Sequence, residues 1–339
     1  MKRFLSIFIV AVALVSLVGC KFSSAKKSII GAPYEVVIVC DNELWDGALG
    51  TELREVFQTP VEMINQEEPM FDVIHLTPRN FTSIYPSHRN ILKVVCSPNA
   101  TTAVANAEYD VEAEPQIVVT FQGPTVEAMV DYLKKNGKSL MRVFEIAERD
   151  RTINSAKAYG ATDLENDIKR QFGIEMHLLR GYTKRNANQD FLWASLEYPV
   201  ASQGFFIYTH PFAGKESITT EALVKARNQF ASRIPGPSEG SYMTTLDKIP
   251  NIDNDGYVEF MPERKVVRIN GCDWVELRGF WEVEGDFMGG PFVSYTTLDK
   301  ATNKLITIDC YVFSPKDDKR NLLRSLEHLI YGVSFTTQK

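Results

Sequence analysis

Apolar positions follow two different rhythms along this chain, and the change of rhythm divides it. Residues 35–40 (Glu-Val-Val-Ile-Val-Cys) are almost wholly apolar, the pattern of a strand buried on both faces. Leu49, Leu53, Val56 and Phe57 then recur at helical spacing until Pro60 stops them. Short apolar runs at 61–64, 71–76, 91–96 and 116–121 predict further strands, punctuated by Pro69, Pro78, Pro86 and Pro98. Gly123-Pro124 opens a helix with Val126, Met129, Val130 and Leu133 on one stripe. Asn136-Gly137 is expected to break it, and Ser139 to cap a second helix carrying Leu140, Val143, Phe144 and Ala147. The charged run Glu148-Arg-Asp-Arg151 reads as a solvated face of that helix. Thr162-x-x-Glu165 fits a capping box ahead of Leu164, Ile168 and Phe172, and Gly173 ends that helix.

Beyond this point strands dominate. Runs at 174–179, 191–197 and 204–210, then 265–269, 274–283, 292–297 and 305–313, read as an antiparallel meander. One helix follows Thr220, with Leu223, Ala226 and Phe230 on one side. Another ends the chain, with Leu322, Leu323, Leu326, Leu329 and Ile330 on one face. The fold class this implies is α+β. Two units of mixed or mostly antiparallel sheet with packed helices, at 34–137 and 173–339, are joined by a helical segment at 138–172. A weak echo between 61–95 and 174–208 raises the question of a duplication.

The N-terminus sets the location. Lys2 and Arg3 precede a run from Phe4 to Val18 that is apolar except for Ser6 and Ser16, too short for a comfortable membrane span. It ends in Leu17-Val18-Gly19-Cys20, which resembles the lipobox of bacterial lipoproteins. That resemblance implies a signal peptide at 1–19, a lipid on the Cys20 thiol, and a tether at 20–33. With no acidic cluster after Cys20, it also implies an envelope protein anchored in a membrane and facing the periplasm. Cleavage would remove two of the 37 Lys+Arg and no acidic residue, taking the net charge from −6 to −8. Such a chain lacks the basic footprint that nucleic acid requires.

Candidate chemistry is sparse. Cys40, Cys96, Cys272 and Cys310 stand in a chain expected to be exported, so the disulfides Cys40–Cys96 and Cys272–Cys310 are candidates, with four buried thiols as the alternative. Residues 251–259 (Asn-Ile-Asp-Asn-Asp-Gly-Tyr-Val-Glu) begin like a cation loop, but Asn251 replaces the leading Asp and Pro262 stands where the bidentate Glu belongs. A hairpin turn explains those residues better, and no metal is expected. No two of the five histidines have ligand spacing; His75 lies within an apolar strand and reads as a satisfied core residue. Asp41, Glu43, Trp45 and Asp46 follow the carboxyl end of the first strand, where open α/β sheets bind ligands. Arg278, Trp281, Met288 and Phe292 sit among glycines in the other dense stretch, and these residue types favour interfaces.

The lipobox, the Trp45 loop, Asn90-Ile-Leu, Gly279-Phe-Trp281 and Met288-Gly-Gly-Pro-Phe-Val293 together resemble a family of uncharacterised Bacteroidetes lipoproteins, domain of unknown function 4837. The resemblance implies an envelope location and carries no known chemistry. The expectation is a non-catalytic binding or assembly module without a cofactor, whose partner is an envelope protein or glycan. The alternative is an envelope glycan or peptide hydrolase using the carboxylates near Asp41 and Asp46 as acid and base.

Overall fold

The computed structural model describes residues 26–251 and 255–336. The expected signal segment 1–19 and Cys20 lie outside the described residues, as do the first part of the expected tether and positions 252–254.

The first half contains β1 (Lys27–Ser28), β2 (Glu35–Val39), α1 (Asn42–Asp46), α2 (Ala48–Phe57), β3 (Asp72–Leu76), β4 (Asn90–Cys96), β5 (Val104–Tyr109), β6 (Ala113–Glu114), β7 (Ile117–Gly123) and α3 (Val126–Tyr159). Its main sheet has the order β3-β2-β4-β7-β5, parallel except for β5. Parallel pairing needs both faces covered, which is why β2 is apolar on both sides. Val36, Ile38, Leu92 and Phe121 face α2 and α3, while Val37, Val39, Ile91 and Val118 form a smaller cluster with Phe81 and Tyr85. The strand expected at 61–64 is a turn instead, with Met63 at a φ of 56°. The end of the expected tether is docked rather than free: β1 pairs with β6, and the Ile30 amide donates to the Ser87 carbonyl.

α3 corrects the sequence reading most. It runs unbroken through Asn136-Gly137 for 34 residues. Gly137 marks a close approach, because a Cβ there would meet Val56 Cγ2 of α2 at 2.4 Å. Glycine weakens a helix by only about 1 kcal/mol, and tertiary packing outweighs that. The run 148–151 is not uniformly solvated either. Glu148 is buried, accepting from Asn90 (2.7 Å), Arg89 (2.7 Å) and Arg151 (3.0 Å). A carboxylate can be buried only when paired in this way, so the Asn90-Ile-Leu stretch serves the fold.

The second half continues with α4 (Thr162–Phe172), β8 (Ile174–Glu175), β9 (Thr183–Asn188), β10 (Phe191–Glu197), β11 (Ser202–Pro211), α5 (Thr220–Ala231), β12 (Tyr242–Thr245), β13 (Lys248–Pro250), β14 (Tyr257–Glu259), β15 (Glu263–Ile269), β16 (Cys272–Glu284), β17 (Gly289–Asp299), β18 (Lys304–Phe313), α6 (Arg320–Ile330) and β19 (Ser334–Phe335). The eight-stranded sheet runs β12-β16-β17-β18-β11-β10-β9, with β15 also on β16, and every pairing is antiparallel. One face packs on α4 and α6 and the other on α5. The molecule is therefore α+β, as the sequence pattern implies. The capping box does not form: Glu165 instead accepts the Leu178 amide at 2.7 Å. The echo does not extend to topology, since the first sheet is mostly parallel and the second antiparallel.

The expected disulfides are absent; Cys40, Cys96, Cys272 and Cys310 are free thiols. Register explains why. Val39 lies opposite Lys93, so Cys96 has run past Cys40. Cys310 lies in the row of Val293 and Arg278, far along β16 from Cys272.

α6 ties the halves together. Both oxygens of Glu68 accept backbone amides at its start, from Lys319 (2.8 Å) and Arg320 (2.7 Å). Arg320 also reaches Asp72 at 2.6 Å and the Pro69 carbonyl at 2.7 Å. The negative side chain thus sits at the positive end of the helix dipole.

Candidate functional site: a cleft between the halves

The residues singled out from sequence mostly lie elsewhere. Trp281 is 2% exposed, donates from Nε1 to the Val312 carbonyl at 3.2 Å, and packs edge-on against Tyr311. Phe292 is fully buried beneath the Arg227 guanidinium, 3.7 Å from its ring centre, and Met288 packs on the same core. Trp281 and Phe292 offer a partner no surface, so the expected anchor at Trp281 is corrected to core, while Met288 stays half-exposed at its edge. The glycines nearby serve strand packing: a Cβ at Gly290 would lie 2.1 Å from the Val312 carbonyl oxygen.

Asp41, Glu43 and Asp46 are exposed around the short helix α1 and line neither cavity described below. Trp45 is half-buried, stacked on His75 at 4.5 Å with Arg54 over its other side at 4.8 Å. His75 is satisfied by the Cys40 carbonyl at 3.0 Å. On either side of the cation-like stretch β13 and β14 pair antiparallel, as a hairpin requires. Among the described residues no group of three or more His, Cys, Asp or Glu side chains could hold a metal ion, and no helix is long and apolar enough to cross a membrane.

A pair of concavities lies where α3, α6, β15 and β16 meet. One cavity of about 460 Å³ and an adjoining one of about 630 Å³ share Arg142, Glu145 and Arg324. Of the residues expected at a site, only Arg278 lines it. α3 contributes Arg142, Glu145, Ile146 and Arg149, because its outer face points across the gap while Phe144 and Ala147 face the first core. On β16, Val275 and Leu277 enter one core, so alternation directs Glu276 and Arg278 toward α6.

The floor is an ion cluster fixed in place. Arg278 bonds both oxygens of Glu276, at 2.8 and 3.3 Å, and also pairs with Glu327. Glu327 accepts from Arg324 at 3.0 Å, and Glu145 lies 3.9 Å from Arg324. Burial alone would raise the Glu327 carboxyl, but Arg278 and Arg324 hold it below its ordinary range. Glu327 therefore remains a carboxylate and cannot serve as a proton donor.

Beside the cluster, His328 sits between Tyr34 (2.8 Å to Nε2) and Thr152 (2.9 Å to Nδ1). The Thr152 hydroxyl proton is engaged by the Glu148 carbonyl at 3.1 Å. Its oxygen thus accepts from Nδ1–H, which leaves Nε2 to accept from the Tyr34 hydroxyl. Burial, reinforced by Arg324, lowers His328 to about 3, and burial pushes the Tyr34 phenol far up. Both groups are neutral at physiological pH, and both ring nitrogens are committed. Tyr34 holds this position with a φ of 63°, in the left-handed region that side chains avoid.

The walls differ from the floor. Arg142 makes no hydrogen bond or ion pair with any described residue, and Arg149 only stacks over the Tyr331 ring at 4.3 Å. The sequence held this signal as Arg142 and Arg149 around Ile146 on one helical stripe. It was hidden by the break expected at Asn136-Gly137 and by the reading of 148–151 as solvated.

Comparison with known proteins adds a family and no chemistry. Searching curated proteins finds no match. Among solved structures, a mutant form of the protein Mog1 shares 8% identity over 49% of this chain and 92% of its own, with a TM-score of 0.29. The human StarD13 lipid transfer and protein localization domain shares 9% over 50% of this chain and 95% of its own, with a TM-score of 0.20. Neither likeness is close enough to support an argument. Residues 29–157 match a domain of unknown function, DUF8532. Residues 161–332, just over half of the 339, match the domain of unknown function DUF4837, and the chain belongs to that family.

Proposed function

We propose that this is a lipid-anchored cell-envelope protein that binds rather than catalyses, with the cleft between its halves as the binding site and Cys20 as the membrane hold. The observation that carries the reading is the cleft itself. It is built by both halves over a fixed ion cluster, and its walls present Arg142 and Arg149 without a carboxylate partner among the described residues. Such concave, largely pre-formed sites are where ligands bind. The carboxylates of a hydrolase would need one member held protonated. Glu327 is held ionised, and the Asp41, Glu43 and Asp46 carboxylates lie on the surface.

A photo-cross-linking residue at position 146 tests the site, with position 109, on an exposed tyrosine, as control. Irradiation in cells should add mass at 146 and none at 109. Adducts at both positions, or at neither, would overturn the reading. Cys20→Ala should release the protein from membranes or leave the precursor uncut. Membrane fractionation of that variant at mature size would remove the anchor.

A further inference from the structure

Resting on the cleft as the binding site, we propose that its ligand carries a phosphate group, held by Arg142 and Arg149 from one wall, with Arg324 behind them. The chain as a whole is acidic, with a net charge of −6. The smaller cavity runs against that balance: Arg142, Arg149, Arg268 and Arg324 line it, against only Glu145 and Glu327. Glu327 is already shared by Arg278 and Arg324, so its charge is spent. Arg268 is engaged by Asp273 at 2.9 Å. Two guanidiniums, Arg142 and Arg149, remain without an anion among the described residues, and Arg324 keeps a buried Nε–H with no acceptor among them. The buried Nε–H of Arg324 is the costly unpaired donor, while Arg142 is exposed and Arg149 half-buried at the mouth, where the planar guanidinium fork matches phosphate oxygens.

Spacing supports the same reading. Arg142 and Arg149 are two helical turns apart on one face, a rise of about 10 Å, which two long side chains can close onto one anion. Ile146 lies between them, with Val266 and Tyr331 nearby. The ligand therefore combines a phosphate with an apolar or ring-bearing body. A free phosphate ester and an anionic lipid headgroup both supply this chemistry.

The full chain is titrated with inorganic pyrophosphate at constant ionic strength, by calorimetry and thermal melting, alongside Arg142→Gln/Arg149→Gln. Pyrophosphate should bind and raise the melting temperature of the native protein. The double variant should bind at least about tenfold more weakly per arginine lost, the effect of removing a charged hydrogen bond. Lys215→Gln, on an exposed segment away from the cleft, should leave binding unchanged. Flotation of unlipidated protein with phosphatidylcholine vesicles, with and without phosphatidylglycerol, separates the sources. Capture dependent on phosphatidylglycerol and on Arg142 and Arg149 assigns a headgroup, while its absence alongside pyrophosphate binding assigns a free phosphate ester. Pyrophosphate that binds neither protein, or both equally, overturns the proposal. If position 146 still cross-links in cells, the cleft remains the binding site and only the phosphate assignment falls.

Discussion

Lowering the pH should loosen the molecule at His328 first. Its ordinary pKa is about 6.5, and the folded protein holds it at about 3, through burial and the adjacent Arg324, with Arg149 adding to the effect and Glu327 opposing it. Because the folded state resists the proton, His328 contributes full stability above about pH 6.5, declining as pH falls toward 3. Between about pH 7 and pH 5 the unfolded histidine gains its proton and the folded one does not, a loss of about 2 kcal/mol. Charging the ring would also break its acceptance from Tyr34, which lies 2.8 Å from Nε2. The assay is urea unfolding at both pH values for the native chain and for His328→Gln, which keeps polar atoms but does not titrate. The variant should be less stable at pH 7, yet lose about 2 kcal/mol less on acidification. Other histidines, including His210, whose pKa burial also lowers, cancel in this comparison. Equal acid sensitivity in the two proteins would refute the reasoning.

Other perturbations follow from the same contacts. Trp281→Ala should cost about 3–5 kcal/mol, as for a large buried aromatic, seen as a sharp drop in melting temperature; an unchanged melt would return Trp281 to the surface. Arg227→Met strands Asp309, which burial already raises to about 6, so the loss in urea stability should be larger at pH 8 than at pH 5, where the carboxyl takes a proton. Gly137→Leu should separate α2 from α3 and destabilise by about 1–3 kcal/mol despite leucine's better helix propensity, checked by circular dichroism melting. Alkylation of the unfolded chain without reductant should label Cys40, Cys96, Cys272 and Cys310 alike.

Much of the fold was legible because it rests on local pattern. The run at Val36 announces a doubly covered strand, and the alternation through β16, β17 and β18 announces an antiparallel sheet. The errors arise where a distant partner overrides a local signal. Gly137 resembles a stop until Val56 is seen against it, and Glu148 resembles a surface residue until Arg89 and Asn90 close around it. Trp281 and Phe292 fit an interface by type, and only the packing of α5 against the sheet shows them to be core. The cleft was illegible for a related reason. Its arginines come from α3 and α6, nearly two hundred positions apart in sequence, and only the fold places Arg142 near Arg324. A lone arginine on a helix carries no such message.

Amide hydrogen exchange gives the most direct test of the cleft as the binding site. The full chain would be compared with and without an extract of bacterial envelope membranes. Ligand bridging the halves should slow exchange in residues 142–149 of α3 and 324–331 around the end of α6, since binding suppresses local opening. Exchange in β9 and β13, remote from the cleft, should stay unchanged. Protection confined to those remote strands, or no protection anywhere, would contradict the account.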